Sequence, residues 1–222
     1  MNTIPQFNAP RKGRLGQRLF AWMTAHGGAT DPASIARKRA LLGGLHGEIL
    51  EIGPGAGPNL RFYPPDVHWV GVEPNPYMHP YLQRSIGEMG RMLEQYRIDP
   101  GDAGGVRLPA RDASVDAVVS TLVLCSVLHP EESLREILRV LKPGGKFVFI
   151  EHVAAPAGTR LRGMQNFIQP LWTAVAEGCH PNRETWRTIE QAGFAHLDLE
   201  HFVYPGASLA GPHIAGTALK GT

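Results

Sequence analysis

The apolar positions change period along the chain. Between Leu15 and Thr24, Leu15, Leu19, Phe20, Trp22 and Met23 recur at helical spacing and predict an amphipathic helix. Residues 1–12 before it are polar and broken by proline, which predicts a loose arm. A second helix is predicted from Asp31 to Leu42. Pro32 sits in its first turn, where a missing N–H costs nothing, and Gly43 and Gly44 stop it. From Glu48 onward short apolar runs take over. Glu48–Ile52 reads as a strand running into a glycine loop, and Val67–Val72 as a strand ending at Glu73, with a short helix at Pro58–Tyr63 between them. Pro76–Tyr96 reads as a longer helix with Tyr77, Tyr81, Met89 and Met92 as packing positions, followed by a weak strand at Arg97–Ile98 and a Gly-rich loop. Val115–Leu124 is the most apolar run, the mark of a strand buried on both faces. Glu131–Leu141 is the next helix. Lys142-Pro143-Gly144-Gly145 follows it, with glycine expected to close the helix in the left-handed conformation, and Lys146–Ile150 is the next buried strand. The remainder predicts a helical segment at Arg160–Ala176, a helix at Arg183–Gln191 and strands at His196–Val203 and Ile214–Leu219.

Alternation of strand and helix over residues 48–150 argues for βαβ units and a parallel sheet covered on both sides, an open, doubly wound α/β fold. A length of 222 residues fits one domain with a small appendage. The chain is 43% hydrophobic and 19% charged, which suits one sizeable core. Its 22 Lys+Arg against 20 Asp+Glu leave a formal charge of +2, so no strong field favours nucleic acid or an anionic membrane. No basic stripe with interleaved aromatics points to nucleic acid either. The longest apolar runs are about seven to ten residues, short of the roughly 20 that span a bilayer. The start has no signal-peptide pattern. These features predict a cytoplasmic protein with no membrane or nucleic-acid partner. Cys125 and Cys179 make no disulfide framework and lack zinc-ligand spacing, so no metal is expected.

The candidate chemistry starts in LEIGPGAGPN, where Glu51, Gly53, Gly55 and Gly57 alternate between a predicted strand and helix. Glycines let the backbone turn tightly and approach a ligand, and the helix start supplies free N–H groups. Glu73, at the end of the second strand, is placed to accept from both hydroxyls of a ribose. A dinucleotide loop requires Gly or Ala where Pro58 stands, and Glu51 is awkward beside a pyrophosphate. Glu51 suits a cationic ligand, and S-adenosylmethionine carries a sulfonium, an ammonium and a ribose and has no phosphate. Gly101-Asp102-Ala103, the Thr121-Leu122-Val123-Leu124 strand end and Leu141–Gly145 stand in register with the loop.

Through these stretches, residues 48–152 resemble the motif series of the class I S-adenosylmethionine-dependent methyltransferases. The likeness is closer to the methyltransferase-like alkyl-thiol S-methyltransferase group. It is carried by NLRFYPP (59–65), EPNP (73–76), STLVLCSV (120–127), EHVA (151–154), EGC (177–179), RETW (183–186) and GPHI-G (211–216). That group begins with a hydrophobic membrane anchor. This sequence begins with a polar arm and an amphipathic helix, so the resemblance does not carry membrane attachment with it. It implies a mostly parallel, seven-stranded Rossmann-like sheet with an antiparallel C-terminal strand. Residues 1–45 would be a helical lid, and 46–222 the methyltransferase domain with a helical insertion at about 157–180.

The implied reaction is an in-line displacement in which a small-molecule nucleophile, a thiol by resemblance, takes the methyl group and S-adenosylhomocysteine is released. The implied cofactor site comprises Glu51, Gly53, Pro54, Gly55, Gly57 and Asn59 around the loop, and Glu73, Pro74 and Asn75 after the second strand. Asp102 and Ala103 would border the adenine, and Thr121, Leu122 and Val123 would line the fourth strand end. His152 is the candidate catalytic base or substrate-orienting group. Glu151 is read as its partner or as a support for a backbone turn. Phe20, Trp22, Met23, Phe167 and Trp172 lie on segments that cover the acceptor in this fold class, so together with His152 they predict an apolar or aromatic acceptor. A natural-product N- or C-methyltransferase acting on an aromatic or indole acceptor remains open. From other classes, a nicotinamide-dependent oxidoreductase and a non-catalytic cofactor-binding protein also remain. The reading leaves room for a homo-oligomer.

Overall fold

The structure is a computed structural model that describes residues 13–26, 31–90, 96–99, 107–204 and 209–222. Its strands are β1 (Glu48–Ile52), β2 (His68–Val72), β3 (Tyr96–Asp99), β4 (Val115–Thr121), β5 (Leu141–His152), β6 (His196–Val203) and β7 (Pro212–Leu219). They form one sheet in the order β3-β2-β1-β4-β5-β7-β6. Strands β1 to β5 pair in parallel, and β7 runs antiparallel between β5 and β6. This is the doubly wound α/β sheet that the sequence predicts. β1 pairs with β2 on one side and β4 on the other, so the winding reverses there. Ligands of open α/β sheets bind outside the carboxyl ends of the strands at such a reversal.

The helices are α1 (Arg14–His26), α2 (Pro32–Leu42), α3 (His79–Glu88), α4 (Pro130–Val140), α5 (Arg160–Val175) and α6 (Thr185–Glu190), with a 3₁₀ turn at Leu60–Phe62. α2 starts as its sequence dictates, the Asp31 carboxylate accepting from the Ser34 N–H at 2.9 Å. Period-2 alternation divides the sheet into two faces. Leu50, Ile52 and Val118 pack with α4 and α6, whereas Ile49, Ala117 and Val119 pack with α2, the 3₁₀ turn and α3. On α4, Leu134, Ile137 and Val140 are buried at helical spacing. Each such side chain contributes about 1.5–3 kcal/mol by burial, so α4 is held by the sheet rather than by its own propensity.

Three boundaries differ from expectation. The predicted Pro76–Tyr96 helix is only α3, which ends before Gly90 at φ 61°, and Tyr96 already belongs to β3 beside β2. Tyr96 opens β3 and stacks on Trp69 at 5.7 Å between centroids, and Met92 lies outside the described residues. The α4 helix closes on Leu141 in an extended conformation, and not on a left-handed glycine. Gly144 does take φ 73°, but within the irregular start of β5, where the pairing register with β4 shifts. The strand predicted to reach Leu124 stops at Thr121, and Leu122 turns out of it with φ 60°. Among the described residues, no helix is long and apolar enough to cross a membrane.

Candidate active site

The glycine loop after β1 meets the turn after β4 at the reversal of the sheet. Gly53, Gly55 and Gly57 all have positive φ, as the alternating glycines require. A Cβ on Gly53 would stand 2.7 Å from Val123 Cγ2, so only glycine lets the two loops touch. A Cβ on Gly55 would meet nothing within 4 Å, so the loop backbone there borders open space. Opposite, Glu73 accepts from the Gly55 N–H at 2.9 Å and from the Asn75 N–H at 2.8 Å. A carboxylate offers about four lone-pair sites, so two remain for a pair of vicinal hydroxyls. Burial pushes the Glu73 carboxyl above its ordinary value, and the two backbone N–H groups oppose that. Pro54 is buried beneath the loop, and Pro74 lies exposed at its edge.

Glu51 is placed differently from the direct counter-charge read from the sequence. It is 1% exposed, on the face of β1 that packs against Trp69 and the 3₁₀ turn. Its carboxylate accepts from Asn59 Nδ2 at 2.8 Å, Tyr63 OH at 2.9 Å and Trp69 Nε1 at 2.9 Å. Three donors keep a buried charge tolerable and anchor the loop's exit. Asn59 relays the arrangement outward. Its Nδ2 also donates to Thr121 Oγ1 at 3.0 Å, while its Oδ1 is buried without a hydrogen-bond partner. A buried acceptor beside a glycine loop lacks a donor, and an ammonium group is one that fits. Tyr63 and Trp69 were not legible as parts of this site, because each looks like an ordinary core aromatic in sequence.

The turn after β4 is built on Glu151. This side chain is fully buried and accepts from Ser120 Oγ at 2.6 Å, Val123 N–H at 3.2 Å and Cys125 N–H at 3.4 Å. Of the two roles read from the sequence, partner of His152 or support for a backbone turn, these contacts describe the second. The scaffold holds Leu122 half-exposed at positive φ, an uncommon conformation for leucine that the surrounding bonds impose. Burial raises the Glu151 carboxyl from 4.5 to about 7. The native state therefore holds this proton more tightly than the unfolded chain. The corresponding stability is complete below about pH 4.5 and is lost as pH rises toward 7, a difference of about 3 kcal/mol. Denaturant titrations should show stability falling between pH 5 and 7.5, with Glu151→Gln flattening the fall. An identical slope in both proteins assigns the loss to another group.

His152 ends β5 and is 3% exposed. Its Nδ1 lies 3.4 Å from Cys179 Sγ, and its Nε2 is buried without a hydrogen-bond partner. The His213 ring stands 5.5 Å away, and burial lowers its pKa to about 4, so it is neutral. Nδ1 of His213 donates to the Gly211 carbonyl at 2.9 Å, which holds the ring in the scaffold. Gln165, on α5, accepts from the Ala155 N–H at 2.7 Å and donates to the Leu209 carbonyl at 3.0 Å, tying that helix to the end of β5. Arg183 donates to the Leu124 and Val127 carbonyls, both at 2.6 Å, and pins the segment after β4. Gln165 carried no sequence signal beyond its polarity, and Arg183 stood out only as the first residue of the RETW stretch.

The segments expected to cover the acceptor are only partly brought together. α1 lies over the stretch after β2, where Asn75 Nδ2 donates to the Gln17 carbonyl at 3.3 Å and Arg18 stacks on Tyr77. Ala21 is its buried contact, Phe20 is partly buried, and Trp22 and Met23 are half-exposed. On α5 the two predicted aromatics separate. Trp172 turns inward with a buried Nε1, whereas Phe167 points outward at 85% exposure and lines no enclosed site. The reason is helical phase, since five residues on an α-helix span more than one turn and open onto different faces. Asp102 and Ala103 lie outside the described residues. Among the described residues no cluster of His, Cys, Asp and Glu forms a metal site.

A family model described as a methyltransferase domain matches residues 50–149, the span from β1 to β5. The matched span holds the sheet and the glycine loop, and its class is that of the S-adenosylmethionine-dependent methyltransferases. The sequence is 43% identical over 173 residues to the thiol S-methyltransferase TMT1A of Homo sapiens, covering 78% of this chain and 70% of that protein. It is likewise 43% identical over 173 residues to the thiol S-methyltransferase TMT1B of Rattus norvegicus, with the same coverage of 78% and 70%. The chain belongs to this thiol S-methyltransferase family of class I methyltransferases. Among solved structures, the [4+2]-cyclase SpnF matches with a TM-score of 0.71 at 18% identity, over 94% of both chains. Phosphoethanolamine N-methyltransferase 2 of Haemonchus contortus, in complex with S-adenosyl-L-methionine, matches with a TM-score of 0.67 at 14% identity, over 95% of this chain and 58% of that one. Those two likenesses concern the fold alone. One of the two is a cyclase, which illustrates that chemistry resides in the site and not in the sheet.

Proposed function

We propose that the protein methylates the sulfur of a small, apolar thiol, with S-adenosylmethionine as donor and S-adenosylhomocysteine as product. The observation that carries the chemistry is the buried, unpartnered Nε2 of His152 at the carboxyl end of β5. The thiol as acceptor rests on the likeness to the thiol S-methyltransferases. When bound, S-adenosylmethionine supplies an electrophilic methyl group on its sulfonium. Glu73 accepts from the ribose hydroxyls. Gly53, Gly55 and Gly57 let the backbone approach, and Asn59 Oδ1 accepts from the ammonium. Glu51 holds Asn59 in place, and Thr121, Leu122, Val123, Pro54 and Asn75 border the ligand. His152 Nε2 receives the proton of the acceptor S–H, in a site dry enough for positioning to count for roughly 7–11 kcal/mol of the barrier.

The acceptor's apolar character is supported by the half-exposed faces of α1 and α5. Leu19, Trp22 and Met23 on α1, and Met164 and Leu171 on α5, remain without a covering layer. We read residues 1–45 as the lid over the domain of residues 46–222. The test is incubation with trideuteromethyl-labelled S-adenosylmethionine and a panel of alkyl thiols, aryl thiols, aromatic amines and indole dipeptides, read by mass spectrometry. The expected product is a labelled thioether. Label on nitrogen or carbon overturns the thiol and keeps the enzyme class.

A further inference from the structure

Two cysteines and a histidine, distant in sequence, meet behind the carboxyl ends of β4 and β5. Cys125 follows β4, His152 ends β5, and Cys179 lies in the loop after α5. Their exposures are 2%, 3% and 9%, and both cysteines are free thiols. The Cys179 loop is tied to the Cys125 segment, since the His180 N–H donates to the Cys125 carbonyl at 2.9 Å. Thr173 Oγ1, from α5, donates to the Cys179 carbonyl at 3.1 Å. Both bonds fix where the Cys179 sulfur sits. It faces His152 Nδ1 at 3.4 Å, and the Cys125 thiol lies beside it.

The direction of these hydrogen bonds follows from the two thiols' unequal surroundings. Contact with Cys179 and burial push the Cys125 thiol well up, so Cys125 keeps its proton and donates. Cys179 collects donors from several sides, first Cys125 and then His152, and they outweigh burial and lower it to about 5. The Trp172 indole adds to the same pull. A proton on the buried Nε2 would find no acceptor, whereas Nδ1 faces the Cys179 sulfur, so His152 carries its proton on Nδ1 and donates it there. That leaves Nε2 as a bare lone pair, and Nε2 is the buried atom with no partner. In Ser-His-Asp sites a carboxylate performs this service for a histidine.

We infer that Cys179 is a positioning residue whose sulfur sets the tautomer of His152, with Cys125 holding Cys179 as the acceptor. The inference rests on the proposed methyl transfer to a thiol. In it the acceptor S–H bond breaks, the proton passes to His152 Nε2 and the electron pair stays on the acceptor sulfur, which is the nucleophile. The resulting imidazolium lies against the Cys179 thiolate, which stabilises it until the proton leaves to water. The other titratable groups facing the cluster are Glu151, His213, His180 and Arg183. Glu151 is occupied by the β4 turn, His213 is neutral, burial lowers His180, and Arg183 is bonded to backbone carbonyls. None of these places a competing proton donor on Nδ1.

Cys179→Ser keeps the size and removes the negative charge, while Cys179→Asp restores an anionic acceptor. With a thiol acceptor, Cys179→Ser is expected to lower kcat at pH 7 about 3–10-fold, with S-adenosylhomocysteine affinity unchanged and the rising limb of the pH profile moved to lower pH, because the imidazolium loses the anion that stabilises it. Cys179→Asp is expected to recover most of that loss. A wild-type pH profile in Cys179→Ser overturns the inference, as does Cys179→Asp behaving like Cys179→Ser. Titrating wild type and Cys179→Ser in the ultraviolet thiolate band needs no acceptor. One thiolate at neutral pH that Cys179→Ser lacks is expected, and identical titrations overturn the inference. If that thiolate is present and no thiol is methylated, the acceptor assignment fails and the Cys179–His152 pairing stands.

Discussion

Replacing His152 with alanine is expected to lower kcat at pH 7 by about 10–100-fold while leaving S-adenosylhomocysteine affinity within about twofold of wild type. The size follows from the nucleophile. A thiol with a pKa of about 8.5 is about 3% ionised at pH 7, so full deprotonation by a base brings at most about 30-fold. An apolar site disfavours the acceptor's own thiolate and raises that ceiling toward about 100-fold. The same argument predicts the pH dependence. As pH approaches 9 the acceptor ionises unaided, and the deficit of His152→Ala should shrink to less than about threefold. A deficit that stays constant from pH 6.5 to 9 would mean that His152 only orients the acceptor. Equal turnover in both proteins would return it to the scaffold.

Glu73→Ala is expected to weaken S-adenosylhomocysteine binding by about 1–3 kcal/mol, or about 5–150-fold in Kd, by titration calorimetry. The carboxylate does two jobs at once, holding the Gly55 and Asn75 N–H groups and keeping acceptor capacity open toward the ligand. Alanine leaves two backbone donors and two ribose hydroxyls without an acceptor. Unchanged affinity would remove Glu73 from the site. The Glu51 site makes a contrast, because its carboxylate contacts three side chains of the core. Glu51→Gln should therefore cost stability before it costs affinity.

Much of this architecture is legible in the sequence because it depends on local signals. Alternating glycines with a β-run before them, a proline in the first turn of α2 and an apolar run with no polar face in β4 each have one dominant structural solution. β1 and β6 fall where their runs predict, and Glu73 ends its strand as expected. The errors fall where the signal is ambiguous. Tyr96 and Met89 can pack from a helix or from a strand, and residue type alone does not say that α3 stops at Glu88 while Tyr96 opens β3. Helical phase on α5 was not resolved either, so Trp172 and Phe167 looked equivalent. Packing against the end of β5 makes one an inner residue and leaves the other outside.

The sequence by itself determined the sheet's class, the glycine loop, the acidic residue closing β2 and the candidacy of His152, since those are matters of residue type at short range. Tertiary structure alone decided what Glu51 touches, that Glu151 holds the turn after β4, and that Cys125, His152 and Cys179 share one buried cluster. No spacing rule joins residues contributed by three segments on different parts of the sheet. Their meeting depends on β4 and β5 being neighbours and on the α5 loop folding back over both strand ends. Protonation follows from that meeting too, because burial and the donors around a sulfur or carboxylate exist only once the chain has packed.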